Sequence, residues 1–157
     1  MSLALRPAAA ADAGRLLDWV NRPDSLAAKL ATSGVIDPAA HRAWLSGRLA
    51  RPDCMIWIIE RDRAPVGQVR IERKGADFEI DVYLEPAERR RSVASEAVGA
   101  ALAAHAARFP GVAVLARVKP DNLASQRLFA RLGFALIARA GDHLVYRHDQ
   151  DVRNVAP

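Results

Sequence analysis

A chain of 157 residues suits one domain with a core of its own, and we expect a single domain over 1–157. Its formal charge of +5 and isoelectric point near 10.1 suit a nucleic acid, an acidic ligand or a basic surface habit, but few aromatics interleave with the arginines, so no nucleic-acid partner is expected. No apolar run approaches ~18 residues, the N-terminus lacks a signal-peptide block and the single Cys54 forms no internal disulfide, so no membrane partner and a cytoplasmic location are expected.

In chain order, Leu3-Ala4-Leu5-Arg6 reads as a short strand closed by Pro7. Residues 10–20 read as a helix with Leu16, Leu17 and Val20 on one face, ended by Asn21-Arg22-Pro23. Asp37-Pro38 is a helix start, a capping side chain followed by proline in the first turn. That helix runs through His41, Trp44, Leu45 and Leu49. Residues 54–60 and 66–72 read as strands, with Cys54 a core residue. The Lys74-Gly75-Ala76 turn joins the second of them to a strand over 78–84. An alanine-rich helix follows over 93–108. Residues 111–118 are apolar on both faces, as in a central strand. A helix over 121–132 and a hairpin of 134–140 with 143–147 around Gly141-Asp142 complete the chain.

The segment Glu85-Pro86-Ala87-Glu88-Arg89-Arg90-Arg91-Ser92-Val93-Ala94 lies between a strand and a helix. The first amides of a helix lack internal partners and sit at the positive end of its dipole. A basic loop feeding them makes a diphosphate seat. The order aliphatic (Leu84), any, Pro, two of any kind, Arg, two of any kind, small, any, small resembles the acetyl-CoA loop of the GNAT N-acetyltransferase superfamily, usually Arg/Gln-x-x-Gly-x-Gly/Ala. Arg89 takes the first place and Ala94 the last; Ser92 stands where the family has glycine. Lys119-Pro120-Asp121-Asn122 and the helix to Leu132-Gly133-Phe134 resemble the second GNAT signature, Pro-x-Asn followed by a short helix.

The resemblance covers nearly the whole chain. It implies an α/β (α+β) GNAT fold: a mixed, mostly antiparallel sheet of about seven strands with about four helices, splayed between the fourth and fifth strands. It implies acetyl-CoA as co-substrate. The backbone of Val82 and Leu84 would pair with the pantetheine arm, Arg89, Arg90, Arg91, Ser92, Val93, Ala94 and Ser95 would take the phosphates, and Asn122 and Phe129 would flank the arm. The four histidines show no metal-ligand spacing, and no metal is expected. Partners would be a small-molecule amine acceptor and, left open, a second copy of the chain.

Amine acetylation needs a base and a proton for the departing thiolate. Glu79, Asp81 and Tyr83 share one strand face, and Glu79 or Asp81 is the base if that face lines the cleft. Matching polar to polar faces sets Glu79 opposite Arg70 and Asp81 opposite Gln68, and an Arg70–Glu79 pair would make an ordinary sheet contact of lower basicity. The family's usual tyrosine falls on Phe129, so the proton would come from Tyr83, Tyr146, His143 or water. Asp18-Trp19-Val20-Asn21-Arg22-Pro23 and His41-x-x-Trp44-Leu45 resemble the GNAT subgroup that acetylates nucleotide-linked amino sugars, as in the pseudaminic-acid pathway. Trp19 and Trp44 are equally readable as core anchors. Acetylation of a protein N-terminus or an antibiotic amine, and a non-catalytic CoA-binding domain, stand as alternatives.

Overall fold

The computed structural model describes residues 2–28, 34–89 and 92–150. In chain order it builds β1 (Leu3–Pro7), α1 (Ala13–Val20), α2 (Pro23–Ala28), α3 (Pro38–Leu49), β2 (Cys54–Arg61), β3 (Ala64–Lys74), β4 (Asp77–Leu84), α4 (Val93–Arg108), β5 (Val114–Val118), α5 (Leu123–Arg131), β6 (Ala135–Ala140) and β7 (His143–His148). Short 3-10 turns lie at Ala10–Asp12 and Pro86–Glu88. The seven strands form one mixed sheet in the order β1-β2-β3-β4-β5-β7-β6. Among the described residues no helix is long and apolar enough to cross a membrane.

The helix starts follow local chemistry. Asp37 accepts a hydrogen bond from the Ala40 amide at 3.0 Å, with Pro38 in the first turn. Pro23 does not end the helical region, as the sequence suggested; it opens α2, because proline suits the first position of a helix. The structure therefore carries five α-helices among the described residues, one more than expected. α5 is capped by Asn122, whose Oδ1 accepts from Ser125 N at 3.2 Å. It closes in a Schellman motif: Phe134 N bonds Phe129 O, Gly133 N bonds Ala130 O, and Gly133 takes φ +90°. The Phe129 and Phe134 rings then meet at 4.9 Å, which fixes Phe129 in the core.

The β3–β4 hairpin corrects one expectation. Its turn is the two-residue Gly75-Ala76, with Lys74 paired to Asp77 and Gly75 at φ +62°, as a type II′ turn prefers at its first central position. Arg70 therefore faces Asp81, Glu72 faces Glu79 and Gln68 faces Tyr83; Arg70 does not stand opposite Glu79, and Gln68 meets Asp81 only on the diagonal, by a side-chain hydrogen bond of 2.9 Å. The slip is two residues. A shift of two leaves every side chain on its own face, so face matching alone could not detect it.

β4 and β5 run parallel and pair only at Phe78↔Val114 and Glu79↔Leu115. Beyond Glu79 the two strands part, and the open edge of β4 over residues 80–84 bounds a cleft. One sheet face packs Trp57, Ile59, Val69, Ile71 and Phe78 against Val98, Ala101 and Leu102 of α4. The other carries Ile56, Ile58 and Tyr83 under Leu16 and Trp19 of α1 and Leu45 of α3.

Burial holds the imidazoles of His41, His105 and His148 below their ordinary proton affinity; His105 lies against the rings of Phe78 and Phe109, at 4.7 and 5.4 Å. Their folded-state pKa is depressed, so the unfolded chain takes up protons first as pH falls. Stability is expected to be full above about pH 6.5, the unperturbed imidazole value, and to decline below it. Melting curves between pH 7.5 and 5 check this; a flat melting temperature contradicts it.

Candidate active site

Alternation on β3 and β4 sends Gln68, Arg70, Glu72, Glu79, Asp81 and Tyr83 to the face under α1 and α3, where they line a cavity of about 630 Å³. α3 contributes His41, Trp44 and Arg48 from one side, and α2 with Ile36 covers the mouth. α2 is tied down across the cleft. Asp24 pairs with Arg89, and Lys119 Nζ donates to Ala27 O at 2.5 Å. Asn21 braces the far end of this cover, accepting from Ile36 N at 2.7 Å and donating to Ile36 O at 3.0 Å.

The three wall carboxylates differ in their surroundings. Glu72, with a side chain 2% exposed, is met by Arg48 at 2.7 Å, Arg70 at 3.1 Å, Arg51 at 3.6 Å and Lys74 at 3.8 Å. Glu79 pairs with Arg117 and, at 3.7 Å, with Lys74. Asp81 accepts from Gln68 Nε2 at 2.9 Å and has Arg70 at 3.8 Å. Its side chain is 31% exposed against 14% for Glu79. Glu79 also lies where β4 is still joined to β5, whereas Asp81 stands on the open stretch.

Tyr83 is buried, with its ring 6.1 Å from that of Trp19 and the Arg89 guanidinium 5.5 Å from the ring centre. Burial pushes its phenol pKa up, so the hydroxyl keeps its proton. Of the other proton donors the sequence offered, Tyr146 is in the main core. His143 is held between Asp142 and Arg117, each at 3.1 Å. Neither lines the cavity.

The cofactor side starts from the strand backbone. Glu85 N bonds Val66 O on β3 at 2.8 Å. In an antiparallel ladder both polar groups of a residue point the same way. The backbones of Val82 and Leu84 therefore face the open edge, and Leu84 O receives Arg89 Nε at 2.9 Å. Glu88 anchors the following turn by a forked pair to Arg61, one arm at 2.7 Å. Trp19 Nε1 donates to Glu85 at 3.0 Å, so Trp19 both lines the cavity and anchors the loop. The first internal bond of α4 is Glu96 N to Ser92 O, which leaves the Val93, Ala94 and Ser95 amides without helical acceptors. These helix-start amides, with the β4 edge that β5 leaves uncovered, fit a diphosphate and a pantetheine arm. Arg90 and Arg91 lie outside the described residues. Asn122 and Phe129 sit on α5 as cap and core residue, as described above. Among the described residues no His, Cys, Asp and Glu group could hold a metal ion.

Ser92 has φ +54°, the left-handed region that favours glycine. An L-residue pays about 1–2 kcal/mol there, and glycine gives back part of that through its larger unfolded-state entropy. Ser92→Gly is expected to raise stability by about 0.5–1 kcal/mol with acetyl-CoA affinity equal or better. Denaturant unfolding and a binding titration check it. A loss of both would show that the hydroxyl's own bonding outweighs the backbone gain.

Sequence reasoning missed Glu72, Arg48, Arg117 and the α2 cover. Glu72 was legible as the third polar residue of the β3 alternation, and Arg48 lies four residues after Trp44 on the same helix face. Gly67 was missed too: a Cβ there would lie 2.3 Å from Tyr83 O, so only glycine lets β3 approach the working end of β4.

The model of the acetyltransferase (GNAT) domain family matches residues 2–135. The chain belongs to the GNAT acetyltransferase family. GNAT membership makes acetyl-CoA the acetyl donor and the protein an enzyme, as the two signatures implied. No curated protein matches the chain. Solved GNAT-like structures share its fold. A domain from Methanocaldococcus jannaschii is 18% identical with a TM-score of 0.83, over 95% of this chain and 99% of that one. The yncA protein from Salmonella typhimurium, solved with its cofactor acetyl-CoA, is 18% identical with a TM-score of 0.82, over 100% of this chain and 98% of that one. Spermidine N-acetyltransferase from Vibrio cholerae, in complex with CoA and spermine, is 13% identical with a TM-score of 0.77, over 92% of each chain. The splayed mixed sheet expected from the sequence is thus the GNAT fold.

Proposed function

We propose that this enzyme moves the acetyl group of acetyl-CoA to a primary amine of a small molecule held in the cavity beneath α1, α2 and α3. The observation that carries this reading is the junction at Asp81. There the open edge of β4 adjoins a cavity large enough for a small acceptor. A nucleotide-linked amino sugar is one such acceptor, supported by His41 and Trp44, which stack at 5.6 Å on the cavity wall.

Acetyl-CoA supplies a thioester whose carbonyl carbon accepts the amine and whose thiol leaves. The Val82 and Leu84 backbones hold the arm as an added strand would. The Val93, Ala94 and Ser95 amides, Ser92, Arg89, Arg90 and Arg91 hold the phosphates, with Asn122 and Phe129 beside the arm. Arg89 would exchange Asp24 for phosphate as it does so. Asp81 takes the proton from the ammonium, because it is the more open of the two cleft carboxylates and stands on the stretch of β4 that β5 leaves uncovered. Glu79, clamped by Arg117 and Lys74, holds its neighbours in place. The Tyr83 hydroxyl gives a proton to the thiolate. The new C–N bond replaces the C–S bond, the amine's second proton restores the Tyr83 hydroxyl, and Asp81 releases the first to solvent.

Acetyl-CoA is expected to raise the melting temperature, with a stabilisation of about 2.7 kcal/mol at ~100 times its dissociation constant. An amine panel should then release CoA thiol. The absence of any thermal shift at millimolar acetyl-CoA would overturn the reading.

A further inference from the structure

The cavity wall has a charge pattern that bears on the acceptor. Among the described residues its basic side chains are Arg48, Arg70, Lys74 and Arg117, and its acidic ones are Glu72, Glu79 and Asp81. Each carboxylate already has a cation within 4 Å: Glu72 has Arg48 and Arg70, Glu79 has Arg117 and Lys74, and Asp81 has Arg70. Arg51 adds one more positive charge against Glu72. A second ammonium on the acceptor would therefore meet no unneutralised carboxylate and a surplus of cations.

The surplus is gathered at one end. On α3, Trp44 and Arg48 descend onto the β3 residues Arg70 and Glu72. The guanidinium carbons of Arg48 and Arg70 lie 5.4 and 5.0 Å from the Trp44 ring centre. Side chains of Arg48 and Arg70 stay 31% and 16% exposed. Guanidinium groups flanking an indole keep planar donors for an oxyanion, while one buried carboxylate beneath fixes their place. Asp81 is directly across the ladder from Arg70, so the proton-accepting end and the cationic end adjoin.

We infer that the acceptor carries an anionic group, carboxylate or phosphate, beside its amine, and that Arg48 with Arg70 receives that group under Trp44. The inference rests on the transferase reading above. It makes polyamines and other polycations poor acceptors.

The test compares matched acceptors on the full chain, read by CoA-thiol release and by melting temperature in saturating CoA. One pair is an amino acid and its amide; another is an amino sugar and its phosphate ester; spermine is the polycation probe. The acid-bearing member of at least one pair should show a KM at least tenfold lower, and which pair responds separates carboxylate from phosphate. Arg48→Gln should erase the difference within that pair, and Arg48→Lys should keep part of it. Preference for the neutral member or for spermine overturns the inference. So does an acid preference untouched by Arg48→Gln, or acceptors that neither bind nor react while acetyl-CoA still shifts the melting temperature. Absence of the acetyl-CoA shift itself marks a different failure, that of the transferase reading.

Discussion

Asp81→Asn is expected to lower the acetylation rate by about 10²–10⁴-fold, the range for removal of a positioned general base. Acetyl-CoA binding and melting temperature should stay near wild type, because Asp81 is partly exposed and the Arg70 guanidinium stands 3.8 Å away. Asparagine keeps an oxygen for the Gln68 amide, now at 2.9 Å from the carboxylate, so the local geometry survives while the basic lone pair is lost. The acidic limb of the pH–rate profile should disappear with it. Glu79→Gln should behave differently. Glu79 is bound by Arg117 and Lys74 where β4 is still paired with β5, so its oxygens are already held by side chains of two strands. Its loss should fall mainly on stability. Steady-state rates with one acceptor, together with melting curves, distinguish the two. Equal rate losses in both variants, or full activity in Asp81→Asn, would move the base elsewhere.

The largest stability effect is expected at Glu72. Its side chain is 2% exposed and gathers Arg48, Arg51, Arg70 and Lys74 within 4 Å. Glu72→Gln removes the one negative charge at the centre and leaves like charges facing one another. Breaking a buried pair on one side costs about 3–5 kcal/mol, and the partial exposure of the arginines puts this case near 3 kcal/mol. For a chain of this size that corresponds to a fall of roughly 6–12 °C in melting temperature. High salt should recover part of the loss by screening the arginines. A melting temperature within a degree of wild type would show that the arginines relax to solvent and that Glu72 organises nothing.

Much was legible in the sequence because it rests on short-range rules. Asp37-Pro38 marked the start of α3, the alanine-rich run gave the bounds of α4, and Gly133 after Leu132 closed α5. Alternation on β4 placed Glu79, Asp81 and Tyr83 on one face, and the cavity confirms that they share it. The two GNAT signatures named the family because their residues serve local backbone needs: open amides at the start of α4 and a cap at Asn122.

Tertiary structure decided what depends on distance through space. Periodicity of two fixes faces but not partners, so the register that sets Arg70 against Asp81 emerged only from the Gly75-Ala76 turn. α2 was hidden because six residues carry too little pattern, and it is tied over the cleft by Arg89 and Lys119 from distant segments. The clustering of cations around Glu72 joins α3, the loop before β2, and β3; no local pattern records it. The difference between Asp81 and Glu79 is likewise invisible in a strand read alone. It arises where β5 leaves β4, because Arg117 of β5 covers Glu79 while β5 has already parted from β4 at Asp81.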